Sequence, residues 1–319
     1  MSKFLRIMLV CLTAAAFIVS LAGCGSRSNS TQASGEKIKI VATMYPVYEF
    51  AKQVGKDKVA VTMLVPPGAE PHDWEPTPKD LAQIRTAKLF LYHGANLEPV
   101  DKLLTKEVLG TTTAVEISKG IPLLTKTAEA KDETKEPQED HDQHHSGTDT
   151  HVWLDPLYAQ QEINNIAAAL AAIDPQNKEY YQDNARQYNS ELEKLNQEYQ
   201  TALANVPHRD IIASHDAFGY LAKRYNLRQV AIMGLNPDTE PTPDKMAKVV
   251  NFCREHQVKY IFFETVVNPK LSQTIAKETG AGLLVLNPVE SLSAEEMKQG
   301  KNYLSIMREN LVNLQTALE

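Results

Sequence analysis

Asp174 to Pro207 reads DPQNKEYYQDNARQYNSELEKLNQEYQTALANVP. The opening Asp-Pro supplies an N-cap and then a proline at the first helical position, where its missing N–H costs nothing. Tyr181, Ala185, Tyr188, Leu192, Leu195, Tyr199, Ala202 and Val206 then fall at alternating three- and four-residue steps, one apolar stripe on a polar helix. Pro207 ends the pattern. At 1.5 Å per residue such a helix runs roughly 45 Å, enough to lie along two lobes as a spine. A single stiff crossing predicts small rocking motions rather than wide hinge closure.

Short β-branched runs alternate with helical patterns on both sides of this helix. Before it come KIKIVATM (37–44), KVAVTMLV (58–65), KLFLYHG (88–94) and TTAVEIS (112–118). After it come DIIASH (210–215), RQVAIMG (228–234), KYIFFE (259–264) and GLLVLNP (282–288). Near-continuous apolar strands separated by helices indicate parallel sheets covered on both faces. The predicted fold is α/β, with two lobes of four strands each: residues 37–173, a linker helix over 174–206, and residues 207–319.

The 319 residues carry 33 Lys+Arg and 40 Asp+Glu, a formal charge of -7. No basic patch is present to neutralise phosphates, which argues against a nucleic-acid partner. Lys3 and Arg6 precede an uncharged run, IMLVCLTAAAFIVSLAG, that meets Cys24 in the tetrad Leu21-Ala22-Gly23-Cys24. A positive start, a short apolar region and small residues before a cleavage point make residues 1–23 a secretory signal. The run is slightly short of the roughly 20 residues of a membrane span. The tetrad resembles the bacterial lipobox, which implies a lipidated Cys24 and a Gly/Ser-rich tether over 24–36. Cys11 leaves with the signal, so Cys253, at an apolar position in DKMAKVVNFCREH, is alone in the mature body and no internal disulfide can form. Residues 125–150 lack apolar periodicity and contain His141, His144 and His145 among acids; they read as an acidic surface loop. Those three histidines either loosely capture metal or belong to a solvated charge run.

Open parallel α/β sheets bind ligands beyond the carboxyl ends of their strands. His72 lies there in the rigid loop PPGAEPHDWEPTP, His151 opens HVWLDP, His215 ends DIIASH, and Glu290 follows LVLNPVE's last strand. Three imidazoles and a carboxylate converging on an interlobe cleft suit zinc and other first-row divalent ions. Asp155 and Asp216 closely follow two of these histidines and are candidates either to orient them or to cap helices. Glu264, at the end of KYIFFE, is a further candidate to support a ligand. His93 ends another strand without comparable context, and His208 and His256 read as surface residues.

The lipobox, PHDWEPTP with His72, HVWLDP with His151, ASHDAFGYLAKRY with His215 and the closing NYLSIMRENL together resemble the zinc/manganese class of ABC-transporter substrate-binding lipoproteins. The similarity extends over nearly all of the mature chain. It implies two (β/α)4 lobes joined by a rigid helix, with metal held between them and handed to a membrane permease. It also implies a monomer on the outer face of the cytoplasmic membrane or in the periplasm. The family's ligand positions fall on His72, His151 and His215. The fourth, often Asp in the family, falls on Glu290, whose longer carboxylate either binds bidentately or leaves room for water. Manganese-preferring relatives tend to carry a carboxylate at the position of His215, so three imidazoles favour Zn2+ over Mn2+ as cargo. A zinc hydrolase is the competing class; the H-E-x-x-H helix is absent and four protein ligands would close the shell, so no enzymatic activity is expected. A surface adhesin is a weaker alternative, resting on location alone.

Overall fold

The computed structural model describes residues 36–125, 147–237 and 240–319. Residues 1–23, read above as an export signal, Cys24 and the loop histidines 141, 144 and 145 lie outside the described residues. The first lobe is built on strands β1 (Ile38–Ala42), β2 (Val59–Met63), β3 (Leu89–Tyr92) and β4 (Thr113–Glu116), all parallel, in the order β2-β1-β3-β4. Ile40 is the hub of the register, opposite Val61 on one side and Leu89 on the other. Helix α1 (Tyr45–Gly55) follows β1 and buries Val47, Phe50, Ala51 and Val54, a three- and four-residue spacing that matches its apolar face to the sheet. Helix α2 (Pro78–Thr86) starts at a capping box in which Thr77 and Asp80 satisfy each other's backbone N–H. Short helices α3 (Val100–Leu103) and α4 (Lys106–Leu109) complete this lobe's connections. Thr125 and Thr148 pair as an antiparallel bridge that closes the base of the acidic loop.

Helix α5 (Pro156–Ile173) packs along the long helix α6 (Lys178–Leu203), whose 26 residues extend about 39 Å. The spine is shorter than its sequence pattern at both ends. Asp174 does not cap it: its carboxylate accepts from Asn177 Nδ2 (2.7 Å) and Tyr181 Oη (2.6 Å), which leaves residues 175–177 as a 3-10 turn. At the other end Arg209 donates to the carbonyls of Leu203 (2.8 Å) and Ala204 (2.7 Å), closing the helix before Pro207. The stripe is buried from Tyr181 to Tyr199, and Ala202 and Val206 are partly buried.

The second lobe carries its four strands as two parallel pairs, β5 (Asp210–Ala213) with β6 (Arg228–Ala231) and β7 (Tyr260–Phe263) with β8 (Gly282–Val285). A continuous four-stranded ladder was expected. A side-chain bond takes its place between the pairs, where Ser214 Oγ donates to the Phe262 carbonyl at 3.3 Å. Helices α7 (Gly219–Arg224), α8 (Pro243–Glu255), α9 (Lys270–Thr279), α10 (Ala294–Lys298) and α11 (Tyr303–Leu318) surround these strands. Cys253 is buried on α8. The main apolar core runs from α1 through α5 and α6 to α11, so both lobes rest on the same spine.

Candidate metal centre

Each polar side chain of the centre leaves the end of a strand or a tight turn. His72 sits in the proline-rich loop after β2, where its backbone N–H donates to Glu70 Oε1 at 3.1 Å. His151 opens a 3-10 turn, Val152–Leu154, that leads into α5. Asp149 Oδ1 accepts from both the backbone N–H (3.0 Å) and Nδ1 (2.8 Å) of His151. His215 lies two residues past β5, and its Nδ1 donates to both oxygens of Glu264 at 2.8 Å. Glu290 follows β8 through Val289, a buried β-branched residue at φ 59°. Such a backbone costs about 1–3 kcal/mol and persists only where its surroundings impose it. Asn287 Oδ1 accepts from Val289 N (2.7 Å), and Asn287 is itself pinned by Asn310 of α11 on both sides.

The four side chains meet in one cluster. Ligand atoms of His72, His151, His215 and Glu290 all lie within 4.8 Å of one another. Glu290 Oε1 is 2.8 Å from His151 Nε2, 3.2 Å from His72 Nε2 and 3.4 Å from His215 Nε2. The nitrogen pairs His72–His151 and His215–His151 are 3.2 and 3.3 Å apart. Tetrahedral zinc with arms near 2.0–2.1 Å would hold its ligands roughly 3.3 Å apart, and these five spacings lie near that edge, with the sixth, His72 to His215, within 4.8 Å. Asp149 and Glu264 accept from Nδ1, which therefore carries its proton, and this turns each Nε2 lone pair inward.

Packing these groups away from water makes the proton the natural occupant in the absence of metal. Burial alone lowers the proton affinity of His151, but Asp149 and Glu290 reverse this and push its pKa up to about 9. His215 is likewise opposed by burial and then held well above the usual imidazole range by Glu264 and Glu290. Burial disfavours the charge of Glu290, yet His215 and the hydrogen bonds from all three imidazoles hold it well below the ordinary carboxylate range. His72, with no carboxylate on Nδ1, stays below its usual value because burial dominates. Glu70, two residues before His72, is pushed up to about 8 by burial and by the charge of Glu290.

Of the two aspartates offered either to orient a histidine or to cap a helix, neither orients its histidine. Asp155 does not reach His151; it caps α5 through Leu157 N (2.9 Å) and pairs with Arg224 of α7 at 2.6 Å, joining the two lobes. Asp216 bonds the Gln229 side chain, while the Nδ1 of His215 belongs to Glu264. Asp149, the partner of His151, was missed; its only sequence signal is the D-x-H spacing at the end of the acidic loop. His256 stacks on Phe252 and pairs with Asp210 on the surface.

Residues 40–317 match the family described as zinc-uptake complex component A, periplasmic. The high-affinity zinc uptake system protein ZnuA of Bacillus subtilis is 42% identical over 307 residues, covering 95% of each chain. The zinc-binding lipoprotein AdcA of Streptococcus pneumoniae is 39% identical over 89% of this chain, which spans 56% of AdcA's length. The Zn(II)-bound ZnuA-like domain of that AdcA superposes with a TM-score of 0.74 at 36% identity, over 88% of this chain and 99% of the domain. The family so described is a component of metal transport rather than an enzyme. A match over nearly all of the described residues, with a buried three-histidine, one-carboxylate cluster, makes this chain a member of the zinc-uptake complex component A family.

Proposed function

We propose that the chain is the extracytoplasmic component of an ABC-type importer, that it captures Zn2+ on His72, His151, His215 and Glu290, and that it delivers the ion to a membrane permease. The observation that carries this reading is the convergence of one carboxylate oxygen and three Nε2 atoms at spacings a single small ion would bridge. Oε1 of Glu290 faces all three nitrogens, which supports coordination through that single oxygen. Manganese favours an oxygen-rich shell, and three imidazoles with one carboxylate suit it poorly. Membership of an uptake-complex family gives a permease as partner; attachment through a lipid on Cys24 after loss of residues 1–23, and action as a monomer, belong to the same proposal. So do a tether over 24–36, lobes at 37–173 and 207–319 around the linker 174–206, and loose zinc capture by His141, His144 and His145.

Metal analysis and competitive titration of wild type beside His215→Ala and Glu290→Ala test the site. One zinc per chain is expected in wild type, with affinity lowered by orders of magnitude in both variants. Unchanged affinity in both would overturn the assignment.

A further inference from the structure

His93 and Glu162 are fully buried and take no part in the metal cluster. His93 lies just past β3, and Glu162 projects from α5. The His93 Nε2 is 2.8 Å from the Thr150 carbonyl, and its Nδ1 is 3.1 Å from Glu162 Oε1. A carbonyl has no proton to give, so Nε2 must carry one. Were His93 neutral and Glu162 ionised, a bare Nδ1 lone pair would face a carboxylate with both groups fully buried, an arrangement buried groups do not sustain. Nδ1 and both Glu162 oxygens have no other hydrogen-bond partner, so one further proton is held by this close pair. Burial disfavours a charged imidazole here, and the hydrogen bond and charge of Glu162 overcome that preference and raise its pKa, in line with the geometry. The nearby Glu98 is not the proton's partner. Its carboxylate is taken by Thr43 Oγ1 (2.6 Å) and by the backbone N–H groups of His93 (2.6 Å) and Gly94 (2.8 Å). Gly94 reaches that carboxylate at φ 86°, with Glu116 where a Cβ would go.

The turn that carries His151 is held between these two residues. The Thr150 carbonyl bonded by His93 belongs to the peptide that leads into His151. The His93 ring also stands edge-on to Trp153 (4.8 Å, 87°), and Trp153 in turn backs the His151 ring at 5.2 Å. Trp153 is fixed on its other side by Nε1 donating to the Pro288 carbonyl at 2.7 Å, two residues before Glu290.

We propose that His93 and Glu162 form a proton-sharing brace between β3 and α5 that positions His151, through Thr150 and Trp153, for metal binding without touching the metal. The proposal rests on the zinc-site reading above. His93 and Glu162 are positioning residues, and their effect is on affinity, with stoichiometry unchanged.

The test compares Glu162→Ala, Glu162→Gln and a fold control, Ile275→Ala, in the full mature chain. Ile275 is buried on α9 in an apolar cluster that shares no member with the core holding Trp153, so its truncation serves as the control for lost stability. Glu162→Ala is expected to weaken Zn2+ binding about tenfold, the low end for residues that orient metal ligands, at one zinc per chain. Glu162→Gln is expected to stay within about threefold of wild type, because the amide can donate to a bare Nδ1 and rebuild the brace with His93 neutral. Ile275→Ala is expected to lower Tm with less than a twofold change in affinity. Equal affinities for Glu162→Ala and wild type, or an equal loss in Ile275→Ala, overturn the proposal. Should Glu162→Ala fail to fold, imidazole proton and nitrogen NMR of wild type decides it: a downfield proton correlated with His93 Nδ1 supports the brace, and its absence overturns it. Failure of wild type itself to bind zinc would refute the site assignment, whereas the NMR signature does not depend on metal.

Discussion

Lowering the pH from 7.5 to 6 should weaken zinc binding far more than two ordinary histidines would allow. Zinc requires every Nε2 bare, so each imidazole that holds a proton in the metal-free chain must release it. His72 is already deprotonated at neutral pH because burial lowers its pKa, and Glu290 is ionised throughout this range. His151, raised to about 9, and His215, raised well above the usual value, carry the dependence. The sign follows: metal binds the deprotonated form of groups whose proton affinity is raised, so affinity climbs with pH until their pKa values are passed. With His151 near 9, its neutral fraction alone changes about 30-fold across this interval, and His215, raised well above the usual imidazole range, adds a further loss in the same direction; two imidazoles at about 6.5 would give only about 15-fold in all. The assay is competition against a chelator whose zinc affinity is known at each pH, with calorimetry in buffers of different ionisation enthalpy counting protons released. About two protons per zinc are expected at pH 7.5. A change below about 15-fold, or release of well under one proton, would refute the electrostatic account of the site.

The metal-free protein should show the same groups in its stability. The raised pKa of His151 contributes stability that is fully present below the unfolded value near 6.5 and is lost as pH rises through about 9, so Tm of the metal-free form should fall over that window while the zinc-bound form changes little. Asp149→Asn keeps an acceptor for His151 but removes its charge, and should weaken zinc about tenfold at pH 7.5. The loss should shrink at pH 6, because the carboxylate that makes Nε2 a better zinc ligand also makes it a better base; a constant loss across pH would contradict this. Trp153, buried against His151, should change its emission on loading, and silence alongside confirmed stoichiometric binding would show that its ring does not sense the site.

The architecture was legible because its signals are local. All eight strands fall inside the apolar runs that announced them, and the stripe from Tyr181 to Tyr199 is buried as its spacing implies. The helix ends were misplaced because side chains compete for the same backbone groups. Asp-Pro is an N-cap signal only if the aspartate is free, and Asp174 is engaged by Tyr181 one turn into the helix. Arg209 likewise closes α6 from beyond Pro207, a contact that no window within the helix contains. The pairing of β5 with β7 through Ser214 depends on how two distant segments settle, and neither segment's pattern encodes it.

The cluster is a harder case, because its four members are separated by up to 218 positions and meet only through the fold. Strand ends were enough to nominate them, since parallel sheets gather those ends at one edge. The supporting carboxylates do not follow from that rule. Asp155 and Asp149 flank His151 at comparable distances in sequence, but the 3-10 turn carries the chain from His151 toward α5 and sends Asp155 to the helix N-terminus and Arg224. Asp149, two residues before His151, folds back instead and takes both the backbone and the ring of His151. Glu290 needs still more: the left-handed Val289 presents it inward, and that conformation is sustained by Asn287 and by Asn310 some twenty residues on. A valine gives no sequence sign of positive φ, since its own preference is against it. The residue types of the centre are thus readable from the chain, whereas the tautomers and proton affinities that make it a zinc site are set by contacts that exist only once the two lobes close on the same turn.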